Sequence, residues 1–387
     1  MAMEPTTRYR AAVSLTFLVH GMVVGNWLSR IPAVRDRLHL EPAALGLCLL
    51  GAAVGALIFM PLSARLCSTF GSRAITRTMS LAFCASLPLP ALAPVPPLLF
   101  AALVIYGAAA GGMDVSMNTQ GAEVEHMRGK PTMSSFHALF SIGGMLGSAM
   151  GALAARLRIP VLPHLTVAAV VLALAVAVAG FWLAPGREKP HDAPFRANAL
   201  RGALLGLSVI AFCILLGEGA MADWSAVYIA DTGTSVAVAA LGYGVFSLMM
   251  AVGRLAGDSL TARFGPVRVV RYGSLLASVG LAAALIEGGA IAAMIGFACA
   301  GAGFASIFPN MCSAAAAQPR IRPEAAIAAV SVTGYFGFLI GPPVIGALAN
   351  LAGLRFGLIL VVFLSLTASW LASAARTPGY KGRMGAA

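Results

Sequence analysis

One stretch decides how this chain folds: Gly107-Ala-Ala-Ala-Gly111-Gly-Met-Asp114-Val-Ser-Met-Asn118-Thr-Gln-Gly121. It lies inside an apolar run that begins at Leu98. The glycines, the carboxylate and the amide recur every three or four residues, so a helix carries them on one face. A carboxylate at the centre of a bilayer costs about 3 kcal/mol or more, so Asp114 must face a partner or a water-filled cavity. Glycines beside it let another helix approach closely, and we therefore predict that this stretch forms a wall of a central cavity.

The composition of the chain indicates a polytopic helical membrane protein. Of its 387 residues, 59% are hydrophobic and only 10% are charged, whereas a soluble domain carries about 25% charged residues. Apolar runs of roughly 20 residues, the length of a membrane-spanning helix, recur from end to end. The six cysteines are scattered through these runs without a CxxC pair, so neither a metal site nor a disulfide framework is predicted.

Twelve spans are predicted, and their order divides the chain into two sets of six. The first set occupies 1–184, a charged and proline-rich cytoplasmic linker occupies 185–201, and the second set with a short tail occupies 202–387. Short motifs recur between the sets at a nearly constant offset, among them Gly-Ala-Leu-Ala at Gly151 and again at Gly346, as in a 6+6 repeat. The predicted spans are Ala11–Ile31, Pro42–Leu66, Ile75–Ala93, Leu98–Gly121, Met133–Leu157, Pro163–Leu183, Gly202–Ile229, Val238–Leu260, Val267–Ile286, Ala290–Ala316, Glu324–Leu351 and Phe356–Ala374.

The distribution of basic residues predicts that both termini are cytoplasmic. With the N-terminus inside, 20 of the 26 Lys and Arg residues lie on the cytoplasmic side and six on the other, as the positive-inside rule expects. The same rule accounts for the net charge of +12 without a nucleic-acid partner. We expect a multi-pass protein of a bacterial inner membrane. Four of the cytoplasmic charges are assigned to the connection between spans eight and nine: Arg254, Arg263, Arg268 and Arg271.

Catalytic and nucleotide-binding motifs are absent from the sequence. It contains no GxxxxGK[ST], HExxH or GxSxG pattern, so neither an ATP motor nor a membrane enzyme is expected. No cofactor is expected either, and a proton gradient is the energy source that we predict.

Two regions resemble the major facilitator superfamily. They are the Phe-Gly-x-x-Arg region after span two, and Gly253-Arg-Leu-Ala-Gly-Asp258 with Phe264-Gly265 after span eight, which look like the cytoplasmic loop signature of that family. In the first copy Ser68 stands where the family usually has an aspartate, so the gating ion pair of that loop is expected to be missing there.

Within the superfamily, four short stretches resemble the fucose permease branch of proton-coupled sugar symporters. The resemblance implies a twelve-helix fold of two pseudo-symmetric bundles, a monomer, and symport of a small polar solute, either a sugar or a similar metabolite. It also implies that Asp114 is the membrane carboxylate that takes and releases a proton. The stretches are Gly112–Asn118, Phe136–Gly143, Gly217-Glu218 with Trp224 and Tyr228, and Ser306–Pro309.

Two interpretations of Asp114 stay open on the sequence alone. A buried carboxyl group can be neutral when closed off and ionised when wet, which suits a proton carrier. The alternative is a structural hydrogen bond to Asn26, to Asn118 or to a backbone carbonyl. We favour the proton carrier, because acids inside membrane helices are usually functional. Glu218 in span seven is the second predicted proton site, and Asp223 lies either at the mouth of the cavity or in a solvated loop.

Six further side chains are predicted to line the cavity and contact substrate. For His20 the alternative is a neutral histidine packed between helices. Trp224 and Tyr228 share a helix face and could stack on a ligand or belong to an interfacial aromatic belt. Pro309 predicts a break in span ten. The six are His20, Asn26, Asn118, His137, Trp224 and Asn310.

The sequence therefore predicts a secondary transporter whose halves alternate access to a central cavity in the lipid bilayer. Proton-linked movement of a small polar organic solute is the favoured activity. An exporter of drugs or secondary metabolites by proton antiport is the alternative, because the same fold works in either direction. A membrane sensor or scaffold that transports nothing is the third, and it is disfavoured by the cost of keeping acids inside spans.

Overall fold

The computed structural model describes residues 5–129, 132–185, 203–318, 321 and 323–376, and these residues are helical without any strand. Within them, twelve segments are long and apolar enough to cross a membrane. A short 3₁₀ turn at Ala372–Ala375 follows the last helix. The helices are α1 (Pro5–Leu28), α2 (Ile31–Arg37), α3 (Pro42–Phe70), α4 (Ser72–Ser86), α5 (Leu89–Leu92), α6 (Pro96–Arg128), α7 (Met133–Arg156), α8 (Val161–Gly180), α9 (Ala203–Asp231), α10 (Val236–Ala239), α11 (Gly242–Phe264), α12 (Pro266–Glu287), α13 (Ala290–Phe304), α14 (Ile307–Ala316), α15 (Pro323–Ala352) and α16 (Leu354–Leu371).

The twelve predicted spans are confirmed in number and order, although most helices extend beyond their predicted ends. The opening stretch, for example, belongs to a helix that continues to Arg128. The predicted break in span ten is confirmed, because α13 ends at Phe304 and α14 begins at Ile307. By contrast, α15 runs through Pro342 and Pro343 without interruption. The predicted linker lies outside the described residues except for its first position.

The same helix pairings occur in the N-half (residues 5–185) and the C-half (residues 203–376). The first span packs against the fifth, as α1 with α7 and α9 with α15. The second packs against the fourth, as α3 with α6 and α11 with α13, and the third against the sixth, as α4 with α8 and α12 with α16. Equivalent packing of this kind is what a 6+6 repeat predicts.

Glycines on both partners let α1 and α7 pack backbone to backbone. A Cβ atom on Gly21 would clash with the carbonyl oxygen of Phe140, and one on Gly25 would clash with that of Gly144. In return, a Cβ atom on Gly143 would clash with the carbonyl oxygen of Leu18. This is the close contact that small residues allow in a membrane, where packing rather than water exclusion holds helices together.

In the stretch Gly107–Gly121, the first two glycines of the predicted polar face form a contact between helices and not a cavity wall. Gly107 and Gly111 of α6 lie against the backbones of Ala52 and Ala56 of α3. Asp114, further along the helix, is only partly buried. The prediction of one continuous wall therefore needs a correction, because the glycines pack within the N-half and only the polar part can face the centre.

The two halves meet tightly on the distal side, which we define as the side where the first span ends. Gly46 at the start of α3 lies against Pro342 and Gly346 near the end of α15. Arg35 donates a hydrogen bond to Asp231 across the two halves, with 2.7 Å between Nη1 and Oδ1. The distal ends of the bundle are thus closed against each other by both backbone contact and charge.

Candidate functional site

A cavity of about 150 Å³ lies where α1 and α7 face α9, α11 and α15. Most of its wall is apolar, with Phe140, Phe246 and Phe338 among the lining side chains. Five polar side chains also reach it: Ser141, Glu218, Tyr243, Ser247 and Arg254. A concave, mainly apolar space with a few converging polar groups is the usual form of a small-molecule site.

Arg254 connects the halves at this cavity. Its Nη1 lies 2.8 Å from Oγ of Ser141 and 3.3 Å from the carbonyl oxygen of His137, both in α7. Its Nη2 lies 3.9 Å from Oε2 of Glu218 in α9. The guanidinium is 18% exposed, and it therefore belongs to the interior of the bundle.

The assignment of Arg254 to a cytoplasmic connection is wrong. The side chain lies in the middle of α11, which continues for ten residues beyond it to Phe264. The stretch that resembles the loop signature is therefore helical at this position. The sequence contained a signal for this, since Arg254 falls inside the predicted span Val238–Leu260. An arginine inside a span is expensive and marks a functional position by default.

Glu218 lies on the cavity wall as an acid with a cationic partner. Its side chain is 14% exposed, and Arg254 is its ion-pair partner. The separation of 3.9 Å is at the outer limit of an ion pair, so the two groups are neighbours without a short hydrogen bond. An acid in this position can exchange its interaction with Arg254 for a proton.

Asp114 and Asn118 form a local pair one turn apart on α6. Nδ2 of Asn118 lies 3.1 Å from Oδ1 of Asp114 and 2.8 Å from its carbonyl oxygen. Asp114 is also within electrostatic range of Tyr335 on α15, which is in turn within range of Glu218. The hydrogen bond that the structural interpretation expected is present, and the carboxylate also interacts electrostatically with a phenol of the opposite half.

Asp223 interacts with the polar groups at the centre of the protein. On the sequence alone, this residue lies either at the mouth of the cavity or in a solvated loop. It lies inside α9 and not in a loop. It is within electrostatic range of Tyr243 on α11 and of Tyr106 on α6 of the other half. Tyr243 also interacts with Glu218 and Arg254.

Three acids and three phenols are therefore connected by electrostatic interactions through the centre of the protein. Counted along the helices from their distal ends at 1.5 Å per residue, the carboxyl groups lie at depths of roughly 12, 20 and 27 Å. We call this set the carboxylate–phenol series; it consists of the acids Asp114, Glu218 and Asp223 and the phenols Tyr106, Tyr243 and Tyr335.

The two predicted histidines lie beside the cavity and do not line it. Nδ1 of His20 is 3.4 Å from the sulfur of Met117, and its ring packs edge-on against Phe83 and Phe140. His20 is 5% exposed, which matches a histidine packed between helices. His137 offers its carbonyl oxygen to Arg254, so its backbone contributes to the site.

Three other predicted ligand residues point into packed regions. Asn26 is fully buried and donates to the carbonyl oxygen of Met22 at 2.8 Å. Trp224 is fully buried and does not line the cavity. Asn310 is held by Thr261 Oγ1 at 3.1 Å and by the carbonyl oxygen of Ser306 at 2.7 Å. Tyr228 is 5% exposed and packs on Phe297, which does not fit a lipid-facing belt.

Comparison with known proteins gives the family. The Major Facilitator Superfamily profile matches residues 13–317 and, in a second match, 207–384. The chain belongs to this superfamily. It is 34% identical over 373 residues to an uncharacterized MFS-type transporter of Yersinia pestis, with 95% of this chain and 96% of the relative covered. It is 37% identical over 360 residues to an uncharacterized transporter of Sinorhizobium fredii, covering 92% of this chain and 95% of the relative.

Solved structures agree on the fold. A bacterial homolog of the human lysosomal transporter Spinster, in an inward-facing and occupied conformation, matches with a TM-score of 0.74 and 16% identity. The match covers 97% of this chain and 98% of the other. The family match and the two transporter relatives show that the protein is a membrane transporter of the major facilitator type and not an enzyme.

Proposed function

We propose that the protein is a secondary active transporter that moves a small organic solute through the central cavity by alternating access coupled to protons. Glu218 is the main coupling site in this proposal. The interaction that carries it is the one between Glu218 and Arg254, because Arg254 is also bonded to α7 of the opposite half.

The coupling follows from what a proton does to this pair. Binding of a proton to Glu218 removes the negative charge beside Arg254, and the guanidinium is left with neutral acceptors on α7. Loss of the proton restores the attraction towards α9. Protonation thus changes the balance of forces on the side chain that joins α11 to α7, which is the differential interaction that a switch between two states requires.

Asp114 is the second protonation site that we propose. It faces the opposite half through Tyr335, and its carboxylate has Asn118 as a hydrogen-bond donor. The resemblance of Gly112–Asn118 to the fucose permease branch supports the same role. If the N-terminus is cytoplasmic, as the basic residues indicate, the closed distal side is periplasmic and Asp114 lies nearer to the cytoplasm than Glu218.

The wall of the cavity bears on the kind of solute. Phe140, Phe246 and Phe338 favour a solute with an apolar face, because such a surface cannot satisfy the many hydroxyl groups of a bare sugar. A polar metabolite with an apolar part fits better. The same wall suits an exporter by proton antiport, which is the second candidate function. We propose a bacterial inner-membrane location with both termini cytoplasmic, and a monomer as the working unit.

The test is proton movement in liposomes. Purified protein is reconstituted with a pH-sensitive dye inside, and sugars, polyols, amines and carboxylates are added in turn. Glu218→Gln and Asp114→Asn are compared with the wild type and with Glu41→Gln, which removes the charge of an exposed residue at the start of α3. Some solute should move protons in the wild type and the control but not in Glu218→Gln.

Two results would count against the proposal. If no solute in the panel moves protons with the wild-type protein, proton coupling is wrong. If Glu218→Gln keeps coupling and Asp114→Asn loses it, the coupling site is Asp114 alone and the proposed role of the Arg254 pair fails. The direction of proton flow relative to solute flow separates import by symport from export by antiport.

A further inference from the structure

The central path contains more acidic than basic groups. Three carboxyl groups belong to the carboxylate–phenol series, and within the described residues that series meets one guanidinium, that of Arg254. Arg254 has Glu218 as its ion-pair partner. Two other arginines of low exposure have partners elsewhere: Arg30 donates to the carbonyl oxygen of Ile159 at 2.7 Å, and Arg35 pairs with Asp231 at the distal side. Two carboxyl groups, those of Asp114 and Asp223, are thus left without a cationic partner.

Asp223 and Tyr106 lie in opposite halves, interact electrostatically, and each carry a polar group without a hydrogen-bond partner among the described residues. Among the described residues, Asp223 has no hydrogen-bond or ion-pair partner, and it interacts electrostatically with Tyr106 and Tyr243. The hydroxyl of Tyr106 is buried without a hydrogen-bond partner, and the residue is only 5% exposed. Buried polar groups are normally paired. A carboxylate and a phenol that lack partners, and that lie within electrostatic range of one another across the two halves, can each form a hydrogen bond with a third group.

The surroundings of this site favour a cation. The phenols of Tyr106 and Tyr243 are both within electrostatic range of the carboxylate. Ala222, the neighbour of Asp223 in the chain, lines the cavity together with Tyr243 and three phenylalanines. A carboxylate among aromatic rings is the combination that binds organic ammonium groups, through charge and through cation–π attraction. An anionic solute would instead meet two carboxyl groups for which the described residues supply no cation, and like charges at close range are strongly unfavourable in a medium of low dielectric constant.

We infer that the transported solute carries a positively charged amine or ammonium group, which binds at Asp223 between Tyr106 and Tyr243 while its apolar part occupies the cavity beside Glu218. The inference rests on the proposed transport function, because it names the solute class for the same path. The cation of the solute then binds at Asp223, five residues from the proposed proton site Glu218. The positive charge of the solute and that of the proton therefore influence one another's binding.

Binding to the full-length protein in detergent tests this without any gradient. The probes are choline, its uncharged isostere 3,3-dimethyl-1-butanol, and the anion 3,3-dimethylbutanoate, which share one shape. Phenethylamine and phenethyl alcohol form a second, aromatic pair. The readout is the shift in unfolding temperature with ligand concentration. We expect at least one ammonium probe to stabilise the protein by several degrees and to bind about tenfold or more tightly than its neutral counterpart.

Substitutions of single residues test whether Asp223 is the site at which the ammonium probe binds. Asp223→Asn should remove the preference for the charged probe. Asp36→Asn, which neutralises a side chain that is 64% exposed, should retain it. Tyr106→Phe keeps the ring and loses only the hydroxyl, so it provides a milder variant if Asp223→Asn does not fold, and it should weaken ammonium binding severalfold.

The outcomes separate this inference from the proposed function. Equal or better binding of the neutral or anionic probes, no stabilisation by either ammonium probe, or unchanged binding in both variants would each overturn the inference. A neutral solute that moves protons in liposomes would preserve proton-coupled transport and refute the cationic class. Binding of an ammonium probe without any proton movement would preserve the cationic class and refute proton-coupled transport.

Discussion

Arg254 on α11 donates a hydrogen bond to the hydroxyl of Ser141 on α7, with 2.8 Å between Nη1 and Oγ, and the two residues are 113 positions apart in the sequence. The bond joins the two halves at the cavity, within reach of the acid Glu218. A charged side chain that connects the moving halves and also faces a protonatable group is placed to transmit protonation into movement.

Replacement of Arg254 by methionine should abolish proton-coupled transport and lower stability. The change keeps a long side chain but leaves Glu218 without its cation, and removal of one partner of a buried pair costs about 3 kcal/mol. Unfolding temperature in detergent and liposome transport provide the two readouts. Arg10→Met, at an exposed position near the start of α1, is the control. Arg254→Met combined with Glu218→Gln should recover part of the stability and none of the coupling; equal stability of the single and double variants would contradict the pair.

The ion pair between Arg35 and Asp231 should bias the halves towards distal closure with little effect on stability. Asp231 is 42% exposed, and exposed pairs contribute about 0–1 kcal/mol. Spin labels at Glu41→Cys and Leu351→Cys, in a background without the native cysteines, report the separation of the distal ends of α3 and α15. Arg35→Glu should raise the population with a long distance, and adding Asp231→Arg should reverse the effect. Identical distance distributions in all three proteins would show that the pair does not hold this side closed.

Gly25→Ala should destabilise the protein far more than Gly341→Ala. A Cβ atom at Gly25 would clash with the backbone of Gly144, whereas at Gly341 the nearest side-chain atom would be 3.5 Å away, an ordinary contact. Overpacking of this kind costs about 1–3 kcal/mol. Unfolding temperature and the yield of monodisperse protein are the measurements. Similar values for the two variants would mean that α1 and α7 are not packed as closely as described.

Asn310→Ala should act on stability and leave solute affinity unchanged. The amide ties α14 to Thr261 of α11 and to the carbonyl oxygen of Ser306 at the break in span ten, and each lost hydrogen bond costs about 1 kcal/mol. Asn350→Ala, at an exposed position near the end of α15, is the control. The dissociation constant of any solute identified in the transport screen should be the same in both variants. A weaker affinity in Asn310→Ala alone would restore Asn310 to the binding site.

The candidate site was only partly predictable from sequence. Glu218, which lines the cavity, was predicted because a polar residue in an apolar span is conspicuous; Asp114 and Asn118, predicted on the same ground, lie on α6 and outside the cavity lining. Trp224, Asn26 and Asn310 satisfy the same criterion, yet they lie in packed regions, since periodicity says that a face is polar but not which helix covers it. Arg254 was missed because it lies within the stretch Gly253–Asp258 that resembles a loop signature, and its position relative to the membrane depended on where α11 ends.

The sequence by itself determined that the chain crosses a membrane twelve times and is built from two related halves. Both conclusions follow from local properties, because a bilayer of fixed thickness selects apolar segments of one length, and a duplication leaves motifs at a constant offset. The tertiary structure alone decided which polar groups meet. Glycine contacts constrain the rotation of helices such as α6, where Gly107 packs against α3 and Asp114, two turns later, interacts electrostatically with Tyr335 of the opposite half. The pairing of Arg254 with Glu218, and the approach of Asp223 to Tyr106 across the halves, depend on these rotations in several helices at once, and no single stretch of sequence contains them.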